Sequence, residues 1–166
     1  MEYSFRQATG QDLGEVVSLY KKAIALMNEN KIYQWDEIYP NEEVLSEDIM
    51  KGELYLLIKN KKIISGVVMN EDQDEAYLPA QWKHREGKIA VIHRLCVHPE
   101  AQGEGNGKRT MQFIEGLILN SGYSSIRLDT FSDNYVARSL YKQLGYSYVG
   151  DVTFRKGLFF LMEKAL

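Results

Sequence analysis

"HPEAQGEGNGKRTMQFIE", residues 98–115, sets glycines at 103, 105 and 107 and then passes into a helix-like pattern. A turn without side chains lets several backbone N–H groups converge on one anion. The helix N-terminus behind it adds unpaired donors and about half a positive charge. Phosphate or pyrophosphate is the natural ligand of such a turn, although glycines also serve plain turns. Two common phosphate loops fail on spacing. A P-loop needs Gly, four residues, then Gly-Lys and a hydroxyl residue. Gln102 stands where its first glycine belongs and Arg109 where the hydroxyl belongs. The dinucleotide fingerprint Gly-x-Gly-x-x-Gly puts its third glycine on Lys108, and it belongs near the first strand of a fold.

Working outward, "IAVIHRLCV" before the turn is apolar and β-branched, a strand running into His98-Pro99. After the turn, Met111, Ile114, Leu117 and Ile118 mark one face of a helix that ends near Ser121-Gly122. "SSIRLDT" is a further strand. "DNYVARSLYKQLGY" is a helix with Asp133 or Asn134 as N-cap and Gly145 as its stop. "SYVGDVTF" and "LFFLMEK" close the chain as a hairpin around "RKG". Towards the N-terminus, residues 3–8 read as a strand, and Leu13, Val16, Val17, Tyr20, Ile24 and Met27 as an amphipathic helix. An aromatic loop, "IYQWDEIYP", precedes a second helix that Asn41 caps and Gly52 stops. "ELYLLIKNKKIISGVVMN" reads as two strands joined at Asn60-Lys61. Residues 71–88 are polar and irregular. The order β α α β β β α β α β β implies a mixed α/β or α+β sheet with both faces covered, in one domain spanning 1–166.

Composition narrows the work of such a domain. Twenty Lys plus Arg against 23 Asp plus Glu leave a net charge of −3, against a phosphate-neutralising nucleic-acid binder. Cys96 is the sole cysteine, so no intrachain disulfide forms, and His84, His93 and His98 lack zinc spacing. No metal is expected. The N-terminus carries an early acidic residue and no long apolar run, unlike a signal peptide, and no stretch reaches membrane-spanning length. A cytoplasmic protein without nucleic-acid or membrane partners is expected, as monomer or homodimer.

Gln-x-x-Gly-x-Gly, read on Gln102, Gly105 and Gly107, is followed by Asn-x-x-Ala-x-x-x-Tyr-x-x-x-Gly-Tyr on Asn134, Ala137, Tyr141, Gly145 and Tyr146. This ordered pair resembles the signatures of the GNAT superfamily of acyl-CoA N-acyltransferases, and the flanking element order extends the resemblance over nearly the whole chain. The resemblance implies a central, mostly antiparallel sheet with a splayed parallel strand pair, helices on both faces, and acetyl-CoA as cosubstrate. It implies that the backbone of Leu95, Cys96 and Val97 pairs with the pantetheine arm. Amides of Gln102, Gly103, Glu104, Gly105, Asn106, Gly107 and Lys108 would hold the pyrophosphate, with Asn134 and Tyr141 also contacting the cofactor. Val97 N–H would donate to the thioester oxygen, and Tyr141 would protonate the departing thiolate. The acceptor would be a small-molecule or peptide amine, attacking directly in a ternary complex. A non-catalytic acyl-CoA sensor on the same fold is the alternative.

Several residues admit a plainer use. Tyr141 lies on the apolar stripe of its helix and packs there equally well; Asn134 serves as a cap. Alternation along the strand puts His93 on the face of Leu95 and Val97, opposite Arg94. His93 is then either the amine's general base or a hydrogen-bonded structural residue. Cys96, in an apolar strand, reads as a packing residue. Tyr33, Trp35, Asp36 and Trp82, with Tyr39 and Tyr77, either receive a cationic amine or attach their loops to the core.

Overall fold

A computed structural model describes residues 2–166. The chain carries seven strands and four α-helices in the expected order: β1 (Tyr3–Gln7), α1 (Leu13–Glu29), α2 (Glu42–Met50), β2 (Leu54–Lys59), β3 (Lys62–Asn70), β4 (Ile89–Val97), α3 (Asn106–Asn120), β5 (Ser125–Phe131), α4 (Tyr135–Gln143), β6 (Ser147–Phe154) and β7 (Gly157–Ala165). Short 3-10 turns stand before α1, in the irregular segment at Glu75–Tyr77, and before the glycine turn at Pro99–Ala101. Among the described residues, no helix is long and apolar enough to cross a membrane.

Residues up to Met69 together with Arg94–Ile114 form one compact unit, and Asn70–His93 with Glu115–Leu166 a second. In the first, the strands follow the order β1-β2-β3-β4. Strand β1 pairs antiparallel with β2, from Tyr3↔Lys59 to Gln7↔Tyr55, and β2 antiparallel with β3. The β2–β3 turn is two residues long. Asn60 (φ 50°) and Lys61 (φ 69°) are both left-handed, as a turn matching the strands' own twist requires. Apolar positions of α1 and α2 pack on this sheet: Val16, Leu19, Tyr20, Ala23, Leu45 and Ile49 join Leu54, Leu56 and Val68. Helix α2 begins where Asn41 Oδ1 accepts from Val44 N at 2.9 Å. It stops at Gly52, whose φ of 70° is left-handed backbone that favours glycine.

Entry to α1 is held by charge. Arg6 donates to both carboxylate oxygens of Asp12, at 2.8 and 3.0 Å, and Thr9 N donates to Asp12 at 2.7 Å. The Arg6 bonds, then that of Thr9, pull the Asp12 carboxyl down to about 2 against the opposing effect of burial. A carboxyl depressed on folding stabilises the fold above its unfolded value near 4, and that contribution fades as pH falls towards 2. Arg6→Met should cost about 0.5–1 kcal/mol at neutral pH, since Arg6 is half exposed, and only a small fraction of that at pH 2. Urea unfolding of both proteins at the two pH values checks this.

In the second unit the order is β4-β5-β7-β6. Strands β4 and β5 run parallel, Ile89↔Ser125 to Val91↔Arg127, while β5–β7 and β7–β6 are antiparallel. The sheet is thus mixed and mostly antiparallel. Tyr77, Trp82, Val91 and Leu161 form a core, with Val149, Val152 and Phe154 against it. Residues 71–88 are irregular but not loose. Trp82 Nε1 donates to Tyr77 O at 2.8 Å, and buried Glu163 of β7 accepts from the amides of Lys83 and His84 at 2.9 and 2.8 Å.

Candidate functional site

The glycine turn belongs to the first unit. Gly103 and Gly105 sit at φ 77° and 79°, where side chains are disfavoured, and no protein atom lies within 4 Å of a Cβ placed on either. Their neighbours Gln102 and Glu104 are exposed as well. Gly107 lies within the first turn of α3. Asn106, almost wholly buried, braces the turn from beneath: its Nδ2 donates to Ala101 O at 2.9 Å and its Oδ1 accepts from Arg109 at 2.6 Å. Gln102 Nε2 donates to Val97 O at 3.1 Å, tying the turn back to β4. Lys108 is exposed, and Glu104 pairs with Lys59 at 3.6 Å. The result is an exposed stretch of bare backbone at the start of a fifteen-residue helix, suited to an anion.

Strand β4 does not alternate as a regular strand would. Arg94 has φ 54°, a left-handed conformation costly for a residue with a side chain. Three neighbours of the first unit hold it. Its guanidinium forks onto buried Asp48 of α2, Nη2 at 2.6 Å and Nε at 2.9 Å, and Nη1 donates to Tyr39 at 2.6 Å. Its carbonyl accepts from Tyr20 OH at 2.6 Å. The simple alternation expected of His93, Arg94 and Leu95 is therefore interrupted at Arg94, because long-range bonds outweigh the local preference. Beyond it, Cys96 is buried and Ser65 Oγ donates to its carbonyl at 2.9 Å. Burial pushes the Cys96 thiol well up, keeping it protonated, in keeping with the packing use. Leu95 and Val97 are half-buried, Val97 beside Leu57, Ile64 and Ala101.

The aromatic loop divides. Trp35 is buried against Tyr20, ring centroids 5.8 Å apart, while Tyr33 is exposed. Asp36 Oδ1 accepts from the amides of Ile38 and Tyr39, so its carboxylate shapes the turn.

In the second unit, the Asn134–Tyr146 signature is a helix with both ends written into it. Asn134 Oδ1 accepts from Ala137 N at 3.1 Å, capping α4. At the other end Gly145, φ 95°, donates to Lys142 O and Tyr146 N donates to Tyr141 O at 3.0 Å. That is the double bond of a Schellman stop, with the Tyr141 and Tyr146 rings in edge contact at 5.7 Å as its apolar clasp. Tyr146 OH donates to Glu115 at 2.6 Å, which also takes Lys164 at 2.7 Å. Tyr141 is buried; burial, then the charge of Asp129, raises its hydroxyl well above the ordinary range. Trp82 is buried too, under the guanidinium of Arg127 at 4.2 Å. His93 Nε2 lies 2.7 Å from Asn70 Oδ1; an amide oxygen only accepts, so Nε2 carries the proton.

The structure thus gathers Leu95 to Lys108, Tyr33, Trp35 and Asp36 in one unit, and His93, Trp82, Asn134 and Tyr141 in the other. Sequence reasoning passed over Asp48, Asp129 and Glu163. Asp129 carried a signal: with Arg127 it puts two charges on one alternating face of a largely buried strand. Among the described residues no group of three His, Cys, Asp or Glu is placed to hold a metal ion.

Comparison with known proteins agrees on one family. The model of the acetyltransferase (GNAT) family matches residues 20–146, a span holding both the glycine turn and the capped helix. The chain is 23% identical over 153 residues, 86% of its length and 81% of the other's, to YesJ of Bacillus subtilis, an uncharacterised N-acetyltransferase. Among solved structures, a GNAT-family acetyltransferase of Streptococcus agalactiae superposes with a TM-score of 0.86 at 22% identity, covering 99% of this chain and 95% of that one. The PaiA N-acetyltransferase of Thermoplasma acidophilum, solved with coenzyme A, gives 0.76 at 19% identity with full coverage of both chains.

Proposed function

The chain belongs to the acetyltransferase (GNAT) family, and on that premise we propose that it transfers an acetyl group from acetyl-CoA to a primary amine, as one catalytic domain. The observation that carries this reading is the exposed, side-chain-free turn at Gly103 and Gly105 leading into α3. Bare backbone before a helix N-terminus suits a pyrophosphate, and the bonds of Asn106 and Gln102 brace the turn.

In this reading the backbone from Leu95 to Val97 pairs with the pantetheine arm, and amides from Gln102 to Lys108 take the pyrophosphate. Val97 N–H donates to the thioester oxygen as negative charge develops there. Tyr141 donates its proton to the thiolate as the amine displaces it. His93, held at Nε2 by Asn70, is the base that accepts the amine's proton. Asn134 fixes the start of α4 and with it Tyr141. Tyr33 and Asp36 border the acceptor; Trp35 and Trp82, both buried, hold the loops that carry it.

The test is release of free coenzyme A from acetyl-CoA on addition of primary amines. Thiol release that rises with amine supports the assignment; tight acetyl-CoA binding without release for any amine overturns it in favour of a sensor. Gly105→Val should weaken acetyl-CoA binding at least 100-fold by calorimetry. Its cost to the fold is about 1–2 kcal/mol, that of a left-handed side chain, because the added Cβ meets no protein atom.

A further inference from the structure

Strand β5 carries two charged residues, Arg127 and Asp129, and the irregular segment treats them differently. Arg127 is enclosed: it stacks on Trp82 and donates to Gln73 Oε1 at 2.7 Å and to His84 O at 3.1 Å. Among the described residues, Asp129 is hydrogen-bonded at its side chain by Tyr77. Tyr77 OH donates to its Oδ2 at 2.6 Å. Among the described residues no lysine, arginine or histidine pairs with it, and none donates to Oδ1. Tyr77 is itself immobilised, only 1% exposed, its ring 5.5 Å from that of Trp82 and its carbonyl bonded to Trp82 Nε1.

A neutral phenol orients a carboxylate without cancelling its charge. A part-buried carboxylate with no counter-ion is unfavourable until a cation completes it. We propose that Asp129 is the seat of the acceptor's ammonium group, with Tyr77 as the positioning residue that turns Oδ1 towards it. This rests on the transferase reading above and deepens it. The acceptor class becomes a primary amine that arrives cationic at its reacting nitrogen, not a neutral arylamine or hydroxylamine. Burial holds the Asp129 carboxyl above its usual range, and its charge raises Tyr141; an ammonium ion at Oδ1 offsets both. Docking of the acceptor therefore makes Tyr141 a better acid at the moment one is needed.

The test is thermal unfolding with n-butylamine hydrochloride or cadaverine dihydrochloride, against sodium chloride of equal ionic strength and against n-butanol. At about ten times its dissociation constant, either amine should raise the wild-type Tm by about 3 °C, and butanol should not. In Asp129→Asn, whose amide oxygen still accepts from Tyr77, the amine shift should vanish while the ligand-free Tm is unchanged or higher. Tyr77→Phe should retain the shift at several-fold higher amine. An equal amine shift in Asp129→Asn, or none in wild type with either amine, overturns the proposal. So does a lowered ligand-free Tm in Asp129→Asn with the amine shift intact, the mark of a purely structural carboxylate. Stabilisation of the same samples by acetyl-CoA reports separately on the transferase reading: its presence without an amine shift sinks only the role of Asp129.

Discussion

Asp48→Ala is expected to lower the free energy of unfolding by about 3–5 kcal/mol. The cost is not the loss of an attraction as such. Asp48 and Arg94 are both nearly buried, with side chains 7% and 11% exposed, so truncation leaves a guanidinium in the interior without its counter-charge. It also removes two of the bonds that hold Arg94 left-handed, and the end of β4 should relax towards a regular strand. For a chain of this size, the melting temperature should fall by about 10 °C. The double variant Asp48→Ala/Arg94→Met should recover much of that loss, because no unpaired charge remains. Thermal unfolding of the three proteins measures the coupling. If Asp48→Ala alone melts within a degree or two of wild type, the fork is not what holds the strand.

Tyr141→Phe is expected to lower kcat about 100-fold or more while changing acetyl-CoA affinity less than threefold. Phenylalanine keeps the edge contact with Tyr146, so the end of α4 and the melting temperature should be preserved. What is lost is one proton. Because burial and Asp129 hold that proton well above the ordinary tyrosine range, Tyr141 stays protonated throughout the working pH range. It therefore cannot account for any fall in kcat below pH 10. Rate profiles of wild type and variant should run parallel, displaced by a constant factor. Equal turnover in both would remove the acid role and leave Tyr141 as packing.

The two signatures were legible because each is local physics spelled in residue types. Asn134, Ala137, Tyr141, Gly145 and Tyr146 are the N-cap, its partner and the main residues of a Schellman stop, all within thirteen positions. Gly103 and Gly105 announce left-handed backbone for the same reason. Asn60-Lys61 was readable as a turn from its neighbours alone. The twist in β4 was not. Arg94 is a poor candidate for a positive φ, and the residues that impose it, Tyr20, Tyr39 and Asp48, lie 46 to 74 positions away. Strict alternation therefore misled at that one residue. Loop aromatics were ambiguous for a related reason: Trp35 and Tyr33 look alike in sequence, and only the packing against Tyr20 separates a core ring from an exposed one. Asp129 needed Tyr77, 52 positions earlier, before its charge acquired a direction.

Glu163 has a bearing on the order in which the molecule is made. It grips the amides of Lys83 and His84, and is synthesised 80 residues after Lys83. At ribosomal speeds of 5–20 residues per second, that interval is roughly 4–16 s. Throughout it the segment bearing Tyr77 and Trp82 waits for the clamp on the last strand to emerge. The first unit is complete earlier, its final residues preceding Glu115. A nascent chain can thus complete the glycine turn well before it can secure the segment that aims Asp129.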